Sequence, residues 1–74
     1  MKNVNRRIEE VTDELMEKVE GIEYLEFEDY DVDFHELKFF GVSEDDEELN
    51  IVVNQFNYVE INGEDVDFNL QVSF

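Results

Sequence analysis

From Asn3 to Glu20 the apolar residues Val4, Ile8, Val11, Leu15 and Val19 recur at steps of four, three, four and four, the stripe of one amphipathic helix. Asn3 or Asn5 can cap its start, and Gly21 stands where a left-handed residue ends a helix. The opposite side carries Glu9, Glu10, Asp13, Glu14, Glu17 and Glu20, relieved by the pairs Arg6 with Glu10 and Glu14 with Lys18. Beyond Gly21 the period becomes two. Ile22 to Glu28 and Val32 to Val42 read as strands, with Leu25 and Phe27, then Leu37 and Phe39, as inward pairs. Val32 and Phe34 are out of phase with Leu37 and Phe39, which predicts a bulge or turn near His35 and Glu36.

The dipeptide Asn62-Gly63 is what a two-residue hairpin loop wants, because both positions need positive φ. Placed there, the loop pairs Ile61 with Glu64, Val59 with Val66, Val53 with Val72 and Ile51 with Phe74. Val66, Phe68, Leu70, Val72 and Phe74 then share one face, while Asp65, Asp67, Asn69, Gln71 and Ser73 share the other. Gln55 and Asn57 fall on the inward face of the third strand, a flaw that a mid-strand bulge would remove by turning Phe56 and Tyr58 inward. The Ser43 to Glu48 run, SEDDEE, joins the second and third strands. The expected architecture is α+β: one domain over residues 1–74, with a single N-terminal amphipathic helix packed on a four-stranded antiparallel sheet.

Charge changes this picture more than any motif. Of the 74 residues 22 are acidic and five basic, a net charge of −17, which excludes a direct nucleic-acid binder. Such repulsion would ordinarily leave a chain disordered. Here 14% aromatic residues, no proline and clear apolar periodicity argue for a folded domain that is more stable in salt than without it. Seven Phe, seven Asn and four Ile stand against two Arg and no Ala or Pro. Those residues have AT-rich codons, which argues against the acidic surface of a salt-loving organism. No run approaches the roughly 20 apolar residues of a membrane span, and no basic-then-apolar leader is present, so a cytoplasmic protein without membrane contacts is expected.

Specific chemistry is sparse. Asp29, Asp31 and Asp33 copy the first three ligand positions of an EF-hand loop, but Phe34 stands where glycine is needed and Phe40 where the bidentate glutamate belongs, so no metal site is expected. There is no Cys, and His35 is the only histidine, read as an ordinary, partly buried strand residue. Neither a nucleophile with its base nor a phosphate-cradling glycine loop occurs, so neither catalysis nor a cofactor is expected.

What remains is the acid pattern. From Ile8 onward the chain holds all 22 acids and only the bases Lys18 and Lys38. Alternate strand residues lie about 6.6 Å apart, so carboxylates on strands can imitate the spacing of a phosphate backbone. The expected partner-binding residues are Glu26, Glu28, Asp29, Tyr30, Asp31 and Asp33, then Glu44, Asp45, Asp46, Glu47 and Glu48, then Asp65 and Asp67. Tyr24, Tyr30, Phe34, Phe40, Phe56 and Tyr58 exceed what one sheet face needs, so some are expected to be exposed and to anchor a partner. In charge, size and codon bias the chain resembles, as a class, the phage-encoded DNA mimics that block restriction enzymes, CRISPR nucleases, glycosylases or host regulators. That resemblance implies an inhibitor filling the basic groove of a nucleic-acid-binding protein. An immunity protein or antitoxin against a basic nuclease toxin is the alternative, and a homodimer is left open.

Overall fold

A computed structural model describes residues 4–72; Asn3, Ser73, Phe74 and the Val4 side chain lie outside the described residues. Helix α1 (Val4–Lys18) is followed by strands β1 (Ile22–Asp31), β2 (Glu36–Ser43), β3 (Glu48–Val53), β4 (Tyr58–Ile61) and β5 (Glu64–Asn69). The strands form one antiparallel meander in chain order. Val11 and Leu15 of the predicted stripe are fully buried, and Ile8 and Val19 pack beside them. Asn5 lies inside the helix rather than at its cap, and Gly21 takes the expected positive φ, 83°. Both predicted helix pairs form, Arg6 to Glu10 at 3.5 Å and Lys18 to Glu14 at 4.0 Å.

The sheet has five strands rather than four because the expected third strand folds back on itself. Val53 pairs with Val59 rather than with Val72, and Ile51 pairs with Ile61, its expected partner Phe74 lying outside the described residues. Between them Asn54 to Asn57 make a tight hairpin turn. The Asn54 Oδ1 accepts the backbone N–H of Phe56 and of Tyr58, at 2.8 and 3.1 Å, and Asn57 adopts a positive φ of 67°. Asparagine tolerates that conformation and closes such turns through its own side chain. The inward Gln55 and Asn57 of a continuous strand would have been buried amides; turning the chain there removes the conflict. Phe56 and Tyr58 consequently stay exposed.

Elsewhere the alternation holds with one exception in β1. Leu37, Phe39, Ile51, Val53 and Val59 are buried in one cluster with Val11 and Leu15, whereas Phe27, expected to be inward, is 37% exposed on the edge strand and meets Phe39 edge to face with ring centroids 5.7 Å apart. Leu70 and Val72 complete the core while Asp65, Asp67, Asn69 and Gln71 are exposed, as the sequence predicts. The turn expected near His35 covers Val32 to His35. His35 is corrected by it: the residue is exposed, sits in the turn at φ 56°, and has Nδ1 3.3 Å from the Tyr30 hydroxyl.

Asn62-Gly63 closes β4 to β5 with φ values of 52° and 84°. Asn62 also works sideways. Its Oδ1 accepts the Asn50 N–H at 2.8 Å and its Nδ2 donates to the Glu48 carbonyl at 3.3 Å, so the loop is stitched to β3. Asn62→Ala loses the conformation and both bonds, and is expected to cost about 1–3 kcal/mol in denaturant unfolding. Asn62→Gly keeps the conformation and should cost less; equal losses would mean that the side-chain bonds alone matter.

Candidate docking face

Because the single helix covers one side of the sheet, the other side is open, and strand register decides which residues it carries. Paired residues on neighbouring strands share a face, and faces alternate along each strand. In β1 the register shifts between Phe27 and Asp29, leaving Glu28 without a partner in a bulge. Tyr24, Glu26, Asp29 and Asp31 therefore lie on the open face, opposite Val42, Phe40, Lys38 and Glu36 of β2. Tyr30, opposite the buried Leu37, turns to the core side. Val52 of β3, Glu60 of β4 and Asp65 of β5 continue the Asp29–Lys38 row across the sheet.

The expected binding residues thus separate into groups. Glu26, Asp29 and Asp31 line the β1 edge, and Asp65 with Asp67 line the β5 edge of the same face, with Glu48 at one end between them. Glu28 and Asp33 are exposed but stand apart, in the bulge and in the β1–β2 turn. Glu44 to Glu47 occupy the β2–β3 turn at the end of the sheet where α1 finishes, since the Glu44 N–H donates to the Gly21 carbonyl at 2.8 Å. Tyr30 is half-buried against the core and is not part of the face.

Local bonds fix these carboxylates in place. The Tyr24 hydroxyl donates to Glu26 Oε1 at 2.6 Å, and this bond is the main reason the Tyr24 phenol is pushed above its ordinary value. Asp31 Oδ1 accepts the N–H of Asp33 and of Phe34 while its Oδ2 stands 3.9 Å from Lys38 Nζ. In this way Asp31, the second apparent ligand of a calcium loop, closes a turn. Ser43 Oγ accepts the N–H of Asp45 and of Glu47, at 3.2 and 3.1 Å, and Asp46 turns back at φ 65°, so the acidic turn has a defined shape. Among the described residues no three His, Asp or Glu side chains converge where they could hold a metal ion.

At the ends of the helix the charges are poorly placed for the fold's own sake. The first turn of α1 contains Arg6 and Arg7 but no acid, while Glu17 and Glu20 lie at or beyond its last turn, where only Lys18 has the favourable sign. A helix dipole prefers the reverse by roughly 0.3–1 kcal/mol per charge.

Sequence reasoning missed the centre of the open face. Phe40, Val42 and Val52 are half-buried there without any covering layer, with Glu36 and Glu60 beside them. Of the aromatics expected to be in surplus, Tyr24, Phe34, Phe56 and Tyr58 are exposed. Arg7 was also unforeseen: it is 8% exposed, donating to Asn57 Oδ1 at 3.0 Å and to the Asn54 carbonyl at 2.9 Å. Burial draws its guanidinium below the ordinary value, offset in part by Tyr30 and Glu10. Its place at i−4 from Val11, on the edge of the apolar stripe, was the available signal.

Among the described residues no helix is long and apolar enough to cross a membrane. No protein-family model, curated protein or solved structure matches the chain.

Proposed function

We propose that this protein is a nucleic-acid mimic: a non-enzymatic inhibitor, phage-encoded and acting in the host cytoplasm, that occupies the basic groove of a defence nuclease or DNA-binding protein, as anti-restriction and anti-CRISPR proteins do. The observation that carries this reading is the disposition of charge. The chain carries a net −17 on a folded helix-and-sheet frame, and its described cations are engaged within the molecule, Arg7 in hydrogen bonds and Arg6, Lys18 and Lys38 with carboxylates. On this frame carboxylates lie about 6.6 Å apart along a strand, as Asp29 and Asp31 or Asp65 and Asp67 do, and about 4.8 Å apart where Asp31 faces Glu36 and Glu60 faces Asp65. A groove that binds phosphates through Lys and Arg gains the same attraction from this array, with fast, salt-sensitive association. The longest dimension, 39 Å, is a little over the roughly 34–36 Å turn of duplex DNA.

Phe56 and Tyr58, exposed at 64% and 55%, favour a second reading. Aromatic anchors of this kind supply single-partner affinity, as an immunity protein or antitoxin against one basic nuclease toxin requires. The two differ in breadth: a mimic inhibits several unrelated targets and yields to duplex DNA, whereas an immunity protein binds one toxin and ignores the rest.

The reading is tested by charge reversal on two sides of the molecule. Glu26→Lys, Asp29→Lys and Asp65→Lys together should weaken retention of basic nucleic-acid-binding proteins at about 150 mM salt at least tenfold. Asp31 is left intact because it closes a turn. Glu9→Lys, Asp13→Lys and Glu17→Lys on α1 change the net charge equally and should cost less than about threefold. Equal losses would show that total charge, not the open face, governs docking.

A further inference from the structure

The open face is more than an acid array, because its two middle strands, β2 and β3, carry Phe40, Val42 and Val52 among their polar residues. Across the sheet the order runs Asp29, Lys38, Val52, Glu60, Asp65, with Phe40 and Val42 following Lys38 along β2. Strands are about 4.8 Å apart, so the β1 carboxylates stand about 14 Å from Glu60 and about 19 Å from Asp65. Between these two rows Phe40, Val42 and Val52 stand half-buried and uncovered by any described part of the chain, with Asn50 opposite Phe40 and Glu48 opposite Val42 on the neighbouring strand. Lys38, the one cation on this face among the described residues, leans to Asp31, 3.9 Å away, and so belongs to the β1 side. A hollow at the other side is lined by Glu36, Glu60 and Asp65 around Val52 and Tyr58, room for a cationic head beside a phenol ring.

We infer that this face takes a basic amphipathic α-helix of the partner, laid along the strands with its apolar stripe on Phe40, Val42 and Val52 and its Arg or Lys side chains against the two carboxylate rows. The inference rests on the mimic reading for the sign of the partner's charge and adds the shape of the docking segment. Helix width decides the occupant. An α-helix with its side chains is about 10–12 Å across and presents an apolar stripe flanked on both sides, which fits between rows about 14–19 Å apart. An extended strand has alternate side chains on opposite faces, so it cannot set an apolar line on Phe40, Val42 and Val52 and cations on both flanks together. A second copy of this chain is disfavoured by the same carboxylates, which would face their own kind.

The test uses the intact protein and two synthetic 18-residue peptides of identical composition, Leu and Arg with Ala. One has Leu at i, i+3, i+4 and i+7 spacing and Arg on the flanks; in the other the order is scrambled. Fluorescence anisotropy at about 150 mM salt should give at least about tenfold tighter binding for the amphipathic peptide. Val42→Thr with Val52→Thr, which keeps β-branched residues on the strands, should weaken the amphipathic peptide about fivefold or more and leave the scrambled one unchanged. Amide shift mapping, which needs no variant, should place the perturbation on β2, β3 and β4 rather than on α1. Equal binding of both peptides, or a perturbation centred on α1, overturns the helix as occupant while the charge reading stands. If neither peptide binds even at about 20 mM salt, the charge reading falls with it.

Discussion

Arg7→Leu is expected to lower the thermal midpoint by about 10–25 °C, whereas Arg6→Leu, one residue away, should move it by less than about 3 °C. Arg6 is on the surface, its side chain 77% exposed, in an ion pair of the kind that contributes little in water. Arg7 is the bond between the helix and the far side of the molecule. Its guanidinium serves Asn57 Oδ1 and the Asn54 carbonyl in the β3–β4 turn, and Asn57 Nδ2 in turn donates to the Val72 carbonyl at 2.8 Å. Leucine leaves two partly buried acceptors without these donors, a loss of about 2–4 kcal/mol, and for a domain of this size each kcal/mol corresponds to about 4–8 °C. A domain with only a few kcal/mol of stability would then be partly unfolded at 37 °C. Arg7→Lys keeps charge but not the two-pronged reach and should fall between. If the Arg7 and Arg6 variants melt together, the turn is held by something other than this bond.

Salt should act on folding and on binding with opposite signs. Raising salt from about 20 to 500 mM shortens the screening length from roughly 20 Å to about 4 Å, relieving repulsion among carboxylates that hold no cation. The melting temperature is therefore expected to rise by several degrees. Over the same range, affinity for a basic nucleic-acid-binding partner should fall by two orders of magnitude or more, since the attraction being screened is the one that drives association. Thermal melts in parallel with a binding titration check both. A protein whose acids served only solubility would show the first trend without the second. Acidification toward the isoelectric point near 4.1 should abolish binding as well, because the net negative charge disappears there.

Much of the fold was legible because two periodicities and one dipeptide carry it. The steps of three and four through Val11 and Leu15, the alternation from Val66 to Val72 and the Asn62-Gly63 loop are local signals, and each appears in the structure where the sequence puts it. The β3–β4 turn was hidden by continuity, since Ile51 to Ile61 reads as one strand unless the asparagines at 54 and 57 are taken as turn formers. The inward Gln55 and Asn57 were the local contradiction that marked it. The make-up of the open face was legible in charge and not in place. The bulge at Glu28 moves Asp29 and Asp31 into phase with Glu26, and only pairing between strands reveals that. Val42 and Val52 look like core in the sequence, and Phe40 counts among its surplus aromatics; all three are only half-buried because a single helix can cover only one side of a sheet.

Whether a cationic groove accepts this anionic surface in place of a polynucleotide is decided by competition. Immobilised protein is loaded with the nucleic-acid-binding fraction of a low-GC bacterial lysate at about 100 mM salt and washed with a 30-base-pair duplex of unrelated sequence. The duplex is predicted to release several retained basic proteins, each identified by mass spectrometry, while an equal charge concentration of free aspartate releases none. Retention that persists undiminished in excess duplex, or a column that holds no basic protein at all, would contradict the mimic reading.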